Sequence, residues 1–162
     1  METANPWNHW LRAGLILSVT AALAFPSLPA VKNLAVVVSA GSKLQDVPLA
    51  ELSKMCKGAQ KTWPDGRNFT LVMKDPASPD MHVAVQKLFA AGGADVKSAI
   101  AKLNESRQVV RIVESDEELL RAVDTTPGAA GILDVYSINS SVKVLRVDGK
   151  LPFDAGYALK GN

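Results

Sequence analysis

The reactive inventory of this chain is small: two His and one Cys among 162 residues, with 18 Lys and Arg against 16 Asp and Glu. His82 is the one histidine beyond the N-terminal 30 residues. It falls in line with Gln86, off the apolar stripe of its helix, and no Gly-x-Ser-x-Gly elbow supplies a nucleophile for it. One Cys and two His are too few for a Cys/His zinc site. Cys56 has no partner for an intramolecular disulfide and reads as a small buried hydrophobe on a helix. Neither a Gly-x-Gly-x-x-Gly turn nor a P-loop is present. Asp116, Glu117 and Glu118 stand together, but in the first turn of a helix, where carboxylates complement the dipole rather than act as paired acids. Lys54, Lys57, Lys61 and Arg67 surround Trp63 loosely, as a solvated face beside a turn. No cofactor is implied, and an enzyme is not expected.

One local arrangement could bind a ligand. A strand ending at Met73 passes Lys74, crosses a short loop and delivers Ser78 to a helix start with Pro79 in the first helical position. Unpaired N–H groups at a helix start favour an anion. Lys74 would add a full positive charge and Ser78 a hydroxyl, whereas Asp75 beside them opposes an anion. The simpler role for Ser78 is to cap its own helix.

These residues are positioned by alternating strands and helices. Leu34–Ser39 is a continuous β-branched run, as in a strand covered on both faces. Pro48 opens a helix with Leu49, Leu52 and Cys56 on one face and Gly58 as its stop. Thr62–Gly66 is turn chemistry, and Phe69–Met73 is the second strand. Met81, Ala84, Val85, Leu88 and Phe89 mark one helical face. After Gly92 and Gly93, a further helix places Val96, Ala99, Ile100 and Leu103 likewise. Val109–Val113 reads as strand. Ser115 and Glu118 form a capping box that starts a helix carrying Leu119, Ala122 and Val123. Pro127-Gly128 ends it, and Ala130–Leu133 and Val142–Val147 are two more strands. The alternation predicts an α/β fold with a mostly parallel sheet flanked by helices.

The composition agrees with one folded domain: 48% apolar, 21% charged and 6% aromatic. A net charge of +2 does not point to nucleic acid. The N-terminal 30 residues read as a secretory signal, with a single cation, Arg12, ahead of the uncharged run Ala13–Ala24. Twelve such residues fall short of the roughly 20 that span a bilayer. Cleavage is expected after Ala24, favoured by small residues at 22 and 24, or after Ala30. It would leave residues 31–162 as a single domain, periplasmic or secreted, without a stable membrane span. Retention of the segment as an anchor is the alternative.

The stretch Leu49–Gly58 followed by Lys61-Thr-Trp-Pro-Asp-Gly-Arg67 resembles the helix, Phe-x-Gly-Lys and Trp-x-Asp-Gly segment of phosphate-type periplasmic substrate-binding proteins. Later elements are similar in order: Pro127-Gly-Ala-Ala-Gly-Ile132, Val142–Leu145 and Tyr157-Ala-Leu159, so the resemblance covers residues 34–160. Cys56 stands where the family has Phe. The resemblance implies one lobe of a type II periplasmic-binding-protein fold. In a full family member two lobes hold phosphate between them, and about 132 residues make one lobe. The family places an Arg, then Ser-Gly-Thr, around the ligand; here those positions read Lys74 and Ser78-Pro79-Asp80. Lys keeps the charge without the bidentate fork, and Pro79 removes a backbone N–H. Two readings follow. One is a binding protein related to the phosphate transporter component, taking phosphate or another small anion at Lys74 and Ser78, with a homodimer restoring a cleft. The other is a ligand-free protein–protein interaction module.

Overall fold

The β-branched run Leu34–Ser39 forms the strand (β1) around which the sheet is built. A computed structural model describes residues 32–161; the leader expected over residues 1–30 lies outside them. Asp46–Val47 (β2) and Leu49–Cys56 (α1) follow, then Thr70–Met73 (β3), His82–Phe89 (α2) and Gly93–Asn104 (α3). Val110–Ile112 (β4), Asp116–Thr125 (α4), Ala129–Asp134 (β5) and Val142–Val147 (β6) complete the order. The strands form one six-stranded sheet in the order β2-β6-β1-β5-β3-β4.

The sheet is mixed, which refines the mostly parallel expectation. Pairings β2–β6, β3–β5 and β3–β4 are parallel. β1 runs antiparallel to both neighbours, with Leu34 opposite Asp134 and Val36 opposite Leu145. Parallel neighbours need a crossover. α2 and α3 carry the chain from β3 to β4, and α4 carries it from β4 to β5 on the far side of β3.

Because side chains alternate across the pleat, β1 feeds two cores. Leu34, Val36 and Val38 join Leu52, Met55, Leu88 and Ile100 on the face covered by α1, α2 and α3. Ala35 and Val37 join Leu119 and Val123 of α4 on the other. β1 thus lies in the middle layer of an α/β/α sandwich, which is why its sequence shows no polar alternation. α3 sits shallowest. It buries Val96 and Ile100, leaves Leu103 half-buried and, against expectation, leaves Ala99 exposed.

Trp63-Pro-Asp-Gly-Arg67 is a pin in this frame. The Trp63 ring is 2% exposed and its indole N–H donates to the Gly128 carbonyl at 2.8 Å. Phe69 packs edge-on at 5.2 Å. Arg67 is held by the Asp65 carboxylate at 2.5 Å and donates to the Ser42 hydroxyl at 3.2 Å. The Asp65 pairing raises the Arg67 pKa and lowers that of Asp65. Gly128, at φ 79°, brings its backbone against Asn68, where a Cβ would lie 2.1 Å from the carbonyl oxygen. The motif therefore ties the α1–β3 connection to the start of β5.

Candidate functional site

β3, β4 and β5 are parallel, so their carboxyl ends share one edge of the sheet, and the antiparallel β1 begins at that same edge. The topology alone therefore gathers residues that are far apart in sequence: Lys32 before β1, Lys74 after β3, Asp116 at the first position of α4, Asp134 ending β5, and Ser137 just beyond it. Open α/β sheets bind ligands outside the carboxyl ends of their strands.

Lys74 meets carboxylates there. Its ammonium lies 2.9 Å from Asp116 Oδ1 and 3.7 Å from Asp80 Oδ2. The other Asp116 oxygen accepts a short hydrogen bond from the Ser137 hydroxyl. Asp80 also faces Lys32 at 3.2 Å, and Lys32 reaches Asp134 at 3.8 Å. Two ammonium groups and three carboxylates thus form one chain of contacts with a net charge of −1. Burial alone would push the Lys74 pKa down, but Asp116 and Asp80 outweigh it and hold it above the ordinary lysine value. For Asp116, burial pushes upward, and the Ser137 hydroxyl with Lys74 and Lys32 outweighs it, so the carboxyl stays below its usual range.

The loop from β3 to α2 is shaped by its own side chains. Asp75 accepts from the Ala77 N–H at 2.9 Å and pairs with Lys97 at 3.1 Å, which lowers its pKa and turns its charge away from Lys74. Ser78 occupies the cap position before a 3₁₀ turn, Pro79–Met81, that leads into α2. Its side chain makes no capping bond, and its hydroxyl oxygen is buried without a partner. The start of α3 presses on this loop: a Cβ on Gly93 would lie 2.5 Å from the Pro76 carbonyl oxygen and 2.7 Å from Ala77 Cα. Only glycine lets the two backbones approach so closely.

The two residues singled out from sequence therefore share a loop but face different surroundings. Ser78 lines a hollow of about 360 Å³ with Pro76, His82, Val85 and Gly93, and Lys74 is not part of its wall. His82 is exposed, as its position off the apolar stripe predicts. A larger groove of about 870 Å³ starts at Lys32 and Asp80 and runs along α2 past Lys87 to Tyr157 and Lys160. Its walls carry three lysines against one aspartate. Sequence reasoning missed Lys32, Asp134 and Ser137 altogether, met Asp80 only as a departure from the resembled motif, and assigned Asp116 to the helix dipole. Their common signal is position: each lies within a few residues of a strand end on the same edge.

Comparison with solved structures places the fold. An ABC-type phosphate transport receptor from Vibrio cholerae superposes with a TM-score of 0.62 at 16% identity, over 81% of this chain and 54% of that one. A phosphate ABC transporter substrate-binding protein with bound phosphate from Clostridium perfringens gives 0.60 at 14% identity, over 75% and 47%. PstS from Borrelia burgdorferi gives 0.59 at 18% identity, over 82% and 55%. The chain spans about half the length of the structures it matches, consistent with the fold of a single lobe. No protein-family model matches the sequence, and no curated protein does.

Proposed function

We propose that this chain is an exported, non-enzymatic solute-binding lobe whose ligand is a small oxyanion, phosphate first among them, held at Lys74. One observation carries the reading. At the edge where β3, β4 and β5 end, the Lys74 ammonium is held by carboxylate oxygens at 2.9 and 3.7 Å, the company an oxyanion would offer it. The Ser78 hydroxyl, buried without a partner, belongs to the separate hollow and is not part of this site. The solved structures that share the fold are phosphate receptors, one of them with phosphate bound. Lys87 and Lys160 of the adjoining groove add positive charge beside the edge. An incoming anion displaces a carboxylate from Lys74, so binding is weak, on the millimolar scale of about −4 kcal/mol.

The test is thermal unfolding of the purified protein with and without phosphate, with sulfate as control. Ligand at 100 times its Kd stabilises by about 2.7 kcal/mol, a shift of several degrees for a domain of this size. Lys74→Ala is expected to abolish the phosphate response while far-UV circular dichroism stays unchanged. A response that survives in Lys74→Ala refutes the site.

A second reading, an interaction module, has its own supporting observation. Tyr136 and Phe153 are 84% and 65% exposed, and their rings meet at a tilt of 59° with centroids 6.4 Å apart. Aromatic residues in such exposed clusters mark protein contacts. Loss of a pull-down partner on Tyr136→Ala, together with no phosphate response, would favour it over anion binding.

A further inference from the structure

We infer that the Asp116 carboxylate is a built-in ligand of the Lys74 site, and that the need to displace it sets how tightly the site holds an external oxyanion. The inference rests on the anion-binding reading above and adds the competitor that reading requires.

Asp116 is held on both oxygens, by a hydrogen bond on Oδ2 and by charge alone on Oδ1, which is buried without a hydrogen-bond donor. One oxygen meets the Lys74 ammonium at 2.9 Å, and the other accepts from the Ser137 hydroxyl. Lys74 comes from the end of β3, Ser137 from beyond the end of β5, and Asp116 itself from the connection after β4. Three strand ends thus converge on one carboxylate, and its donors belong to elements other than its own. The side chains of Lys74 and Asp116 are 21% and 24% exposed, so the pair is reachable from solvent but not dissolved in it. A carboxylate placed only to favour its helix would need neither partner. Ser115 already caps α4, with its hydroxyl accepting from the Glu118 N–H at 3.1 Å.

Asp80 is the weaker rival. It lies 3.7 Å from Lys74 and 3.2 Å from Lys32, so its charge is shared and leans toward Lys32. Asp134 faces Lys32 rather than Lys74. Removing the Asp116 charge therefore frees Lys74 most, and it leaves the Ser137 hydroxyl available to the newcomer.

The experiment measures the apparent phosphate affinity of the full chain from Tm against phosphate concentration, in wild type, Asp116→Asn and Glu117→Gln. Glu117 stands in the same turn and is exposed, so its substitution makes the same change in net charge without touching Lys74. Asp116→Asn is expected to tighten phosphate at least about fivefold, the lower end of typical coupling between sites, with Glu117→Gln close to wild type. Asp116→Ser gives the same readout should the asparagine variant fold poorly. Equal tightening in Asp116→Asn and Glu117→Gln would overturn the inference, because net charge alone would then explain it. A wild-type response that depends on Lys74 but is unchanged in Asp116→Asn overturns the inference and leaves the anion-binding reading standing. No response in wild type or in either Asp116 variant overturns both.

Discussion

The Lys74–Asp116 pair permits a quantitative test that needs no ligand. At 2.9 Å, two unit charges attract by roughly 6 kcal/mol at an effective dielectric of about 20 and by roughly 1.4 kcal/mol in bulk water. Desolvation and the ordering of a long lysine side chain take back most of the larger figure. Exposed pairs measure about 0–1 kcal/mol, while removal of one partner from a buried pair costs about 3–5 kcal/mol. With side chains about one-fifth to one-quarter exposed, a coupling of about 1–2 kcal/mol is expected. Asp80 at 3.7 Å remains beside Lys74 when Asp116 is neutralised, so this figure is a lower bound on the attraction.

The assay is a double-mutant cycle of Lys74→Met and Asp116→Asn by urea unfolding at pH 7. The pH dependence has a definite sign. Asp116 is held below its usual pKa in the fold, so its contribution is complete above about pH 4–5 and is lost as pH falls through the lower folded value. Lys74 is held above its usual pKa, so its contribution is complete below about pH 10 and disappears as pH rises through the folded value. The coupling should therefore be constant between about pH 5 and 9 and shrink outside that window. A coupling under about 0.3 kcal/mol at pH 7 would show that solvent already screens the pair, and Asp116 would then be no rival to an anion.

Three other perturbations test the frame that holds this edge. Gly93→Ala should cost about 1–3 kcal/mol, because the added carbon meets the backbone of Pro76 and Ala77 rather than a movable side chain; unchanged urea stability would mean that the loop is free to retreat. Trp63→Phe leaves the Gly128 carbonyl without its indole donor and should destabilise by about 1–3 kcal/mol, measured as a drop in Tm. Cys56 is fully buried, and burial pushes its thiol pKa up. A thiol reagent at pH 8 should modify it only at the rate of unfolding, and rapid labelling of the native protein would contradict its place in the core.

Much of the scaffold was legible because burial leaves periodic marks. The unbroken apolar run of β1 announces a strand covered twice, and its residues do divide between two cores. Ser115 and Glu118 mark the start of α4, and the Ser115 half of the box forms as read. The Glu118 carboxylate instead accepts from the Glu114 N–H at 3.3 Å and meets Arg111. β2 escaped notice because two residues cannot display a period; it exists through its pairing with β6. The direction of β1 was equally invisible, since a strand buried on both faces reads the same whichever way its neighbours run.

For the site, local sequence pattern places Lys74 and Ser78 on a loop between a strand and a helix, as the fold has them. What Lys74 touches follows from the packing of distant segments. Asp80, Asp116 and Ser137 lie 6, 42 and 63 positions beyond it, and only Asp80 is near in sequence. Asp116 and Ser137 reach it because parallel pairing sets the ends of β3, β4 and β5 side by side. Local sequence records how each segment buries its own apolar face. A charge–charge contact between segments depends on which strand lies next to which, and that is settled by the packing of the whole sheet.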